Sequence, residues 1–150
     1  MSTKGTLSII VPLMTIEYAR EVLQVEAKAI ESLVERINEN FLTAVETITA
    51  CKGHLVITGM GKAGLIGQKA SATFASTGTP SLFLHPAEAY HGDLGRVVKD
   101  DVILALSNSG TTEEMLRLLP SIRKIGAKII SVTATKESPM GKLSDIALEM

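Results

Sequence analysis

The run Ser107-Asn108-Ser109-Gly110-Thr111-Thr112-Glu113-Glu114 joins hydroxyl side chains, a glycine and two carboxylates where an apolar segment gives way to a helical pattern. N–H groups at the amino end of a helix have no intrahelical partners, and the helix dipole there favours negative charge. Hydroxyls add donors with little bulk, and Gly110 lets the backbone come close to a ligand. The run therefore reads as a phosphate cradle, and no lysine of Walker type follows it. The plainer alternative is a Ser/Thr-rich turn that ends in a helix N-cap. Glu113 and Glu114 also have two readings. Acids in a first turn complement the dipole, while a carboxylate beside a phosphate cradle is the base that proton abstraction next to a carbonyl needs.

A second candidate is Gly59-Met60-Gly61-Lys62-Ala63-Gly64, a G-x-G-x-x-G run between a strand pattern and a helix pattern. A nicotinamide dinucleotide site would carry an acidic residue roughly 20 positions on, at the end of the next strand. Phe83-Leu84-His85 stands there, with Glu88 only after Pro86, so no nicotinamide cofactor is expected. Lys62 is set against the dipole of its helix, which an anionic ligand would explain; a lysine snorkelling at the surface is the alternative. In the segment from His85 to Asp93, two histidines and two carboxylates match no standard zinc spacing. His91 suits acid–base chemistry or hydroxyl recognition, or else a hydrogen bond to loop backbone. His54 opens a strand and reads as structural.

The elements that must position these groups alternate. Residues 54–58, 81–85, 101–107, 128–134 and 145–150 read as strands, apolar and rich in β-branched residues. Helical patterns follow the first strand to about Ala75 and the third over 113–125, where Leu116, Leu119 and Ile122 share a stripe and Pro120 should kink the helix. Gly126 stops that helix, and Ser138-Pro139 opens another. This order predicts a doubly wound parallel α/β sheet of five strands with right-handed crossovers. Ahead of it, apolar residues from Ile16 to about Ile37 predict a long amphipathic helix that must pack on something outside the first βαβ unit. A second helix is predicted from Phe41 to Cys51, capped by Asn40. Residues 1–14 read as a loosely held arm, and 15–150 as one domain. The last strand pattern runs up to Met150, so the chain reads as the front portion of something longer, with that strand poorly covered.

Composition narrows the function. The 150 residues carry a net charge of -1, which gives no support to nucleic-acid binding. A helix-turn-helix is missing from residues 1–52. The single cysteine, Cys51, points to a reducing compartment. No apolar run approaches the ~18–20 residues of a membrane span, and the segment from Leu7 to Met14 lacks the marks of a signal peptide. A cytoplasmic protein without membrane or nucleic-acid partners is expected.

Taken together, residues 56–95 (VITGMGKAGLIGQKASATFASTGTPSLFLHPAEAYHGDLG) and 106–115 (LSNSGTTEEM) resemble the sugar isomerase (SIS) domain of the arabinose-5-phosphate isomerase family. The resemblance runs from about Tyr18 to Met150. It implies a sheet of flavodoxin-like order and reversible interconversion of ribulose 5-phosphate and arabinose 5-phosphate, the first step toward the 3-deoxy-manno-octulosonate of lipopolysaccharide. Position by position, it gives Lys62 and Glu114 catalytic roles, with His91 beside them. Ser107, Asn108, Ser109, Thr111 and Thr112 would hold the phosphate with loop amides around Gly110, and Gly61, Gly78 and Thr79 would line the sugar pocket. His85 matches a position where an inhibitory zinc ion binds. The family commonly carries glutamate at the place of Thr111. It also places a further glutamate and a histidine, C-terminal SIS helices and often a CBS pair beyond residue 150. The resemblance implies a homodimer or homotetramer whose subunits share sites. A SIS module that senses a phosphosugar without turning it over is the alternative.

Overall fold

A computed structural model describes residues 15–150, so the arm read over residues 1–14 lies outside the described residues. The described residues form two compact units, 15–37 and 38–150. In the first, helix α1 (Ile16–Glu31) begins at Thr15, whose hydroxyl accepts the Tyr18 N–H at 3.0 Å. It ends earlier than the apolar periodicity predicts. The Ser32 hydroxyl donates back to the Ala29 carbonyl at 2.7 Å, and only a 3-10 turn, Val34–Arg36, follows. No residue of α1 is buried.

The second unit begins with α2 (Glu39–Thr49). Its N-cap is Asn38 instead of Asn40, because the Asn38 carboxamide accepts the Asn40 N–H at 2.9 Å and starts the helix two residues sooner. The sheet elements follow as β1 (Leu55–Gly59), α3 (Gly61–Ser76), β2 (Ser81–Leu84), α4 (Pro86–Tyr90), β3 (Val102–Leu106), α5 (Glu113–Ile125), β4 (Lys128–Thr133), α6 (Pro139–Lys142) and β5 (Ile146–Glu149). All five strands are parallel, in the order β2-β1-β3-β4-β5. Every strand end lies within one residue of its predicted place. The short helix α4 was not predicted; Pro86 supplies its first turn with a pre-set φ.

Helices cover both faces, which is why the strands are nearly continuous in apolar residues. On one face, Leu55, Ile57 and Ile130 meet Ala44 and Ile48 of α2 and Ala70 and Phe74 of α3. On the other, Val56, Ile103, Ala105 and Ile129 meet α5, with Ala89 of α4 and Met140 of α6 at the sides. The buried stripe of α5 is Met115, Leu118, Leu119 and Ile122; Leu116, expected on it, is only half-buried. Burial of each large side chain of that stripe contributes about 1.5–3 kcal/mol. The helix runs on without a break through Pro120, which is exposed. In the last strand no residue is fully buried; Ile146 and Leu148 pack half-buried against the α2–α3 cluster, and Asn40 Nδ2 donates to the Ala147 carbonyl at 3.4 Å.

Two close approaches lock β1 in place. At Gly64 a Cβ would stand 2.6 Å from the Gly59 carbonyl oxygen, so α3 can start this near β1 only with glycine there. At the amino ends of β1 and β3, the buried Asp101 carboxylate accepts the His54 N–H at 2.7 Å and the Val98 N–H at 2.8 Å. The His54 ring lies 3.8 Å from the same carboxylate, in the structural role its position suggested.

Candidate functional site

The strand order puts β1 beside β3, and the chain leaves these two strands toward opposite faces, to α3 and to α5. The strands stay paired to their last residues, Gly59 and Leu106, and it is the connections after them that diverge, at the place where open α/β sheets hold ligands. Both candidate segments, residues 59–64 and 107–114, issue from these two strands.

The loop 107–112 is organised from within. Ser107 is buried; its Oγ accepts the Gly110 N–H at 3.2 Å and bonds the Thr112 hydroxyl at 3.0 Å. Thr112 holds the N-cap position of α5, yet no side chain caps the helix, because its hydroxyl is turned to Ser107. The side-chain cap of the plainer alternative is therefore not made at Thr112. Ser107 and Thr112 brace the loop, while Asn108, Ser109 and Thr111 form its exposed part. Ser109 Oγ accepts from Thr111 N at 3.3 Å and from the Thr111 hydroxyl at 2.9 Å.

The two acids of α5 separate cleanly. Glu113 is exposed and ion-paired with Arg117, one turn on. Glu114 is half-buried, directly beside the loop in sequence. The helix-dipole reading is enough for Glu113. Lys62 is exposed in the first turn of α3, a helix that also has no side-chain cap, after Gly61 at φ +54°.

The other candidates stand on other elements. His91 is exposed and closes α4, whose Ala89 packs into the same cluster as α5. His85 follows β2; its Nδ1 is buried without a hydrogen-bond partner, and its ring meets Phe83 edge-on at 6.4 Å. Among the described residues no three His, Cys, Asp or Glu side chains gather to hold a metal ion, at His85 or elsewhere. Gly78 and Thr79 precede β2 and line a cavity of about 210 Å³ with Cys51 and Gly53, at the amino end of the sheet. One chain therefore does not bring them to the loop 107–112. Among the described residues no helix is long and apolar enough to cross a membrane.

Sequence reasoning missed the segment that supports the loop. Thr133 and Ser138 are buried beneath it, Thr133 Oγ1 donates to the Asn108 carbonyl at 3.2 Å, and Met140 N donates to the Gly110 carbonyl at 3.0 Å. A strand end and a helix cap look ordinary in sequence, and only the β3–β4 pairing makes them neighbours of the loop.

The fold is a doubly wound α/β domain with both candidate segments at the β1/β3 switch point. The SIS-domain family model matches residues 48–150, and the chain belongs to that family. It is 50% identical over 134 residues to the arabinose 5-phosphate isomerase KdsD of Pseudomonas aeruginosa, covering 89% of this chain and 41% of that protein. To the Escherichia coli K12 enzyme of the same name it is 47% identical over 129 residues, covering 86% of this chain and 39% of that one. The chain thus spans about two-fifths of the length of these relatives. A solved Escherichia coli CFT073 protein in complex with arabinose 5-phosphate superposes with a TM-score of 0.83 at 39% identity, covering 99% of this chain and 74% of that one.

Proposed function

We propose that the protein is a phosphosugar aldose–ketose isomerase that interconverts ribulose 5-phosphate and arabinose 5-phosphate. The observation that carries this reading is the uncapped start of α5, where a self-braced hydroxyl loop meets the half-buried Glu114. Identity of 50% to an arabinose 5-phosphate isomerase and likeness to a structure with arabinose 5-phosphate bound support the choice of sugar.

In this reading the phosphate rests on the Ser109 N–H, on the first-turn amides of α5 and on the exposed hydroxyls of Ser109 and Thr111, which holds C1 and C2 near Glu114. The carboxylate takes the C2 proton of the aldose and, after exchange with solvent, delivers a proton to C1. Lys62 meets the negative charge of the enediolate between the two steps, which is where a fixed cation lowers the barrier. His91 carries the hydroxyl proton between O2 and O1. Gly78 and Thr79, at the far end of β2, serve the site of a neighbouring copy in a homodimer or homotetramer. Leu65 and Ile66, each 65% exposed on α3 just after Lys62, offer apolar surface for that contact. The cellular role is early sugar supply for lipopolysaccharide, in the cytoplasm.

Calorimetric titration with arabinose 5-phosphate, arabinose and inorganic phosphate tests the reading. Binding of the phosphosugar and of phosphate, with arabinose alone silent, is the expected result. Equal binding of arabinose would remove the phosphate cradle from the account, and phosphosugar binding without turnover would assign the chain to sensing.

A further inference from the structure

The carbonyls of the loop 107–112 are held from below. Asn108 O accepts from Ala134 N at 2.9 Å and from Thr133 Oγ1 at 3.2 Å, which fills both lone pairs. Behind Thr133 stands Ser138, whose Oγ lies 3.4 Å from Thr133 Oγ1 and accepts the Gly141 N–H at 3.1 Å. The ends of this series fix its direction. Gly141 N–H can only donate and the Asn108 carbonyl can only accept, so the hydrogens run from Gly141 to Ser138, from Ser138 to Thr133 and from Thr133 to Asn108. Each hydroxyl both donates and accepts, an arrangement in which neighbouring bonds strengthen one another.

A trans peptide points its C=O and the next N–H in opposite directions. A carbonyl of Asn108 drawn down onto Thr133 therefore turns the Ser109 N–H up, away from the β4–α6 segment. The same holds one step on, where the Gly110 carbonyl taken by Met140 N turns the Thr111 N–H the same way. Thr133 and Ser138 are buried, at 0% and 5% exposure, so neither touches a ligand on the loop.

We propose that Thr133, backed by Ser138, is a positioning residue for anion recognition, its hydroxyl aiming the Ser109 N–H at the phosphate through the Asn108 carbonyl. The inference rests on the phosphosugar reading of the loop and adds to it residues outside the loop.

Two substitutions separate positioning from packing. Thr133→Val keeps the volume and loses the hydroxyl; Thr133→Ser keeps the hydroxyl and loses a buried methyl. Binding of inorganic phosphate and arabinose 5-phosphate is measured by calorimetry, alongside thermal melting. Loss of one hydrogen bond behind the cradle predicts roughly fivefold weaker binding of both probes by the valine variant. The serine variant binds within about twofold of the parent despite its smaller core contact. In turnover the valine variant raises KM more than it lowers kcat. Parent-like binding by a folded valine variant, or equal weakening in the serine variant, would overturn the proposal. If the valine variant does not fold, Ser138→Ala takes its place as the break in the same series, with about twofold weaker binding expected and unchanged binding overturning the proposal. Failure of the parent to bind either probe would instead overturn the phosphosugar reading, and this inference with it.

Discussion

The Cα of Gly110 lies directly against the side chain of Ser138. A methyl group on Gly110 would overlap the Ser138 hydroxyl and stand 2.8 Å from Thr133 Oγ1, and the residue has φ +62°. The shape of the loop after β3 is thus set jointly by its own residues and by the segment after β4.

Gly110→Ala meets both obstacles. Left-handed backbone strain for a side-chain-bearing residue costs about 1–3 kcal/mol, and overlap with Ser138 adds to it. The expected result is a clear fall in melting temperature and at least tenfold weaker arabinose 5-phosphate binding. Gly95→Ala, where a Cβ would meet open space, is the control and should change neither.

The adjacent acids of α5 should behave differently. Glu113→Gln removes only an exposed pair with Arg117, worth about 0.3–0.5 kcal/mol, and leaves turnover within twofold. Glu114→Gln removes the proposed base and should lower kcat about a hundredfold or more. Steady-state rates and melting curves of the two variants decide the assignment; similar rates would remove Glu114 from the mechanism.

Lys62 is exposed, so Lys62→Met should shift stability by no more than about 0.5 kcal/mol. Loss of a cation facing the enediolate predicts a fall in kcat of about a hundredfold to a thousandfold. A near-normal kcat would return Lys62 to the role of a surface lysine.

Asp101→Asn tests the frame rather than the chemistry. Its carboxylate accepts two backbone N–H groups while buried, and an amide would turn a donor toward one of them. Destabilisation of about 2–4 kcal/mol is expected from urea unfolding.

Much of this was legible in the chain. The five strands stand out because burial on both faces demands unbroken apolar runs, as in residues 102–106. The bounds of the helix over 113–125 were legible, from its acidic first turn to Gly126, but its buried stripe took Met115 and Leu118 where Leu116 was expected. Local competition hid other features. Asn38 and Asn40 are equally good caps in sequence, and Ser32 ends α1 through a bond to Ala29 that periodicity does not register. The buttress of Thr133 and Ser138 could not be read at all, since it depends on a pairing between strands more than twenty residues apart, with Leu106 opposite Val132. The inward turn of Ser107 was hidden for the same reason: hydroxyls that face a ligand and hydroxyls that brace a loop look alike in sequence.

The most direct test of the account is a phosphorus and proton NMR time course of arabinose 5-phosphate with the protein in heavy water. The account predicts a shifted phosphate line and the appearance of ribulose 5-phosphate carrying deuterium at C1, the mark of a proton lost to solvent from an enediolate. A spectrum in which the phosphate line does not move and no ketose forms would contradict it.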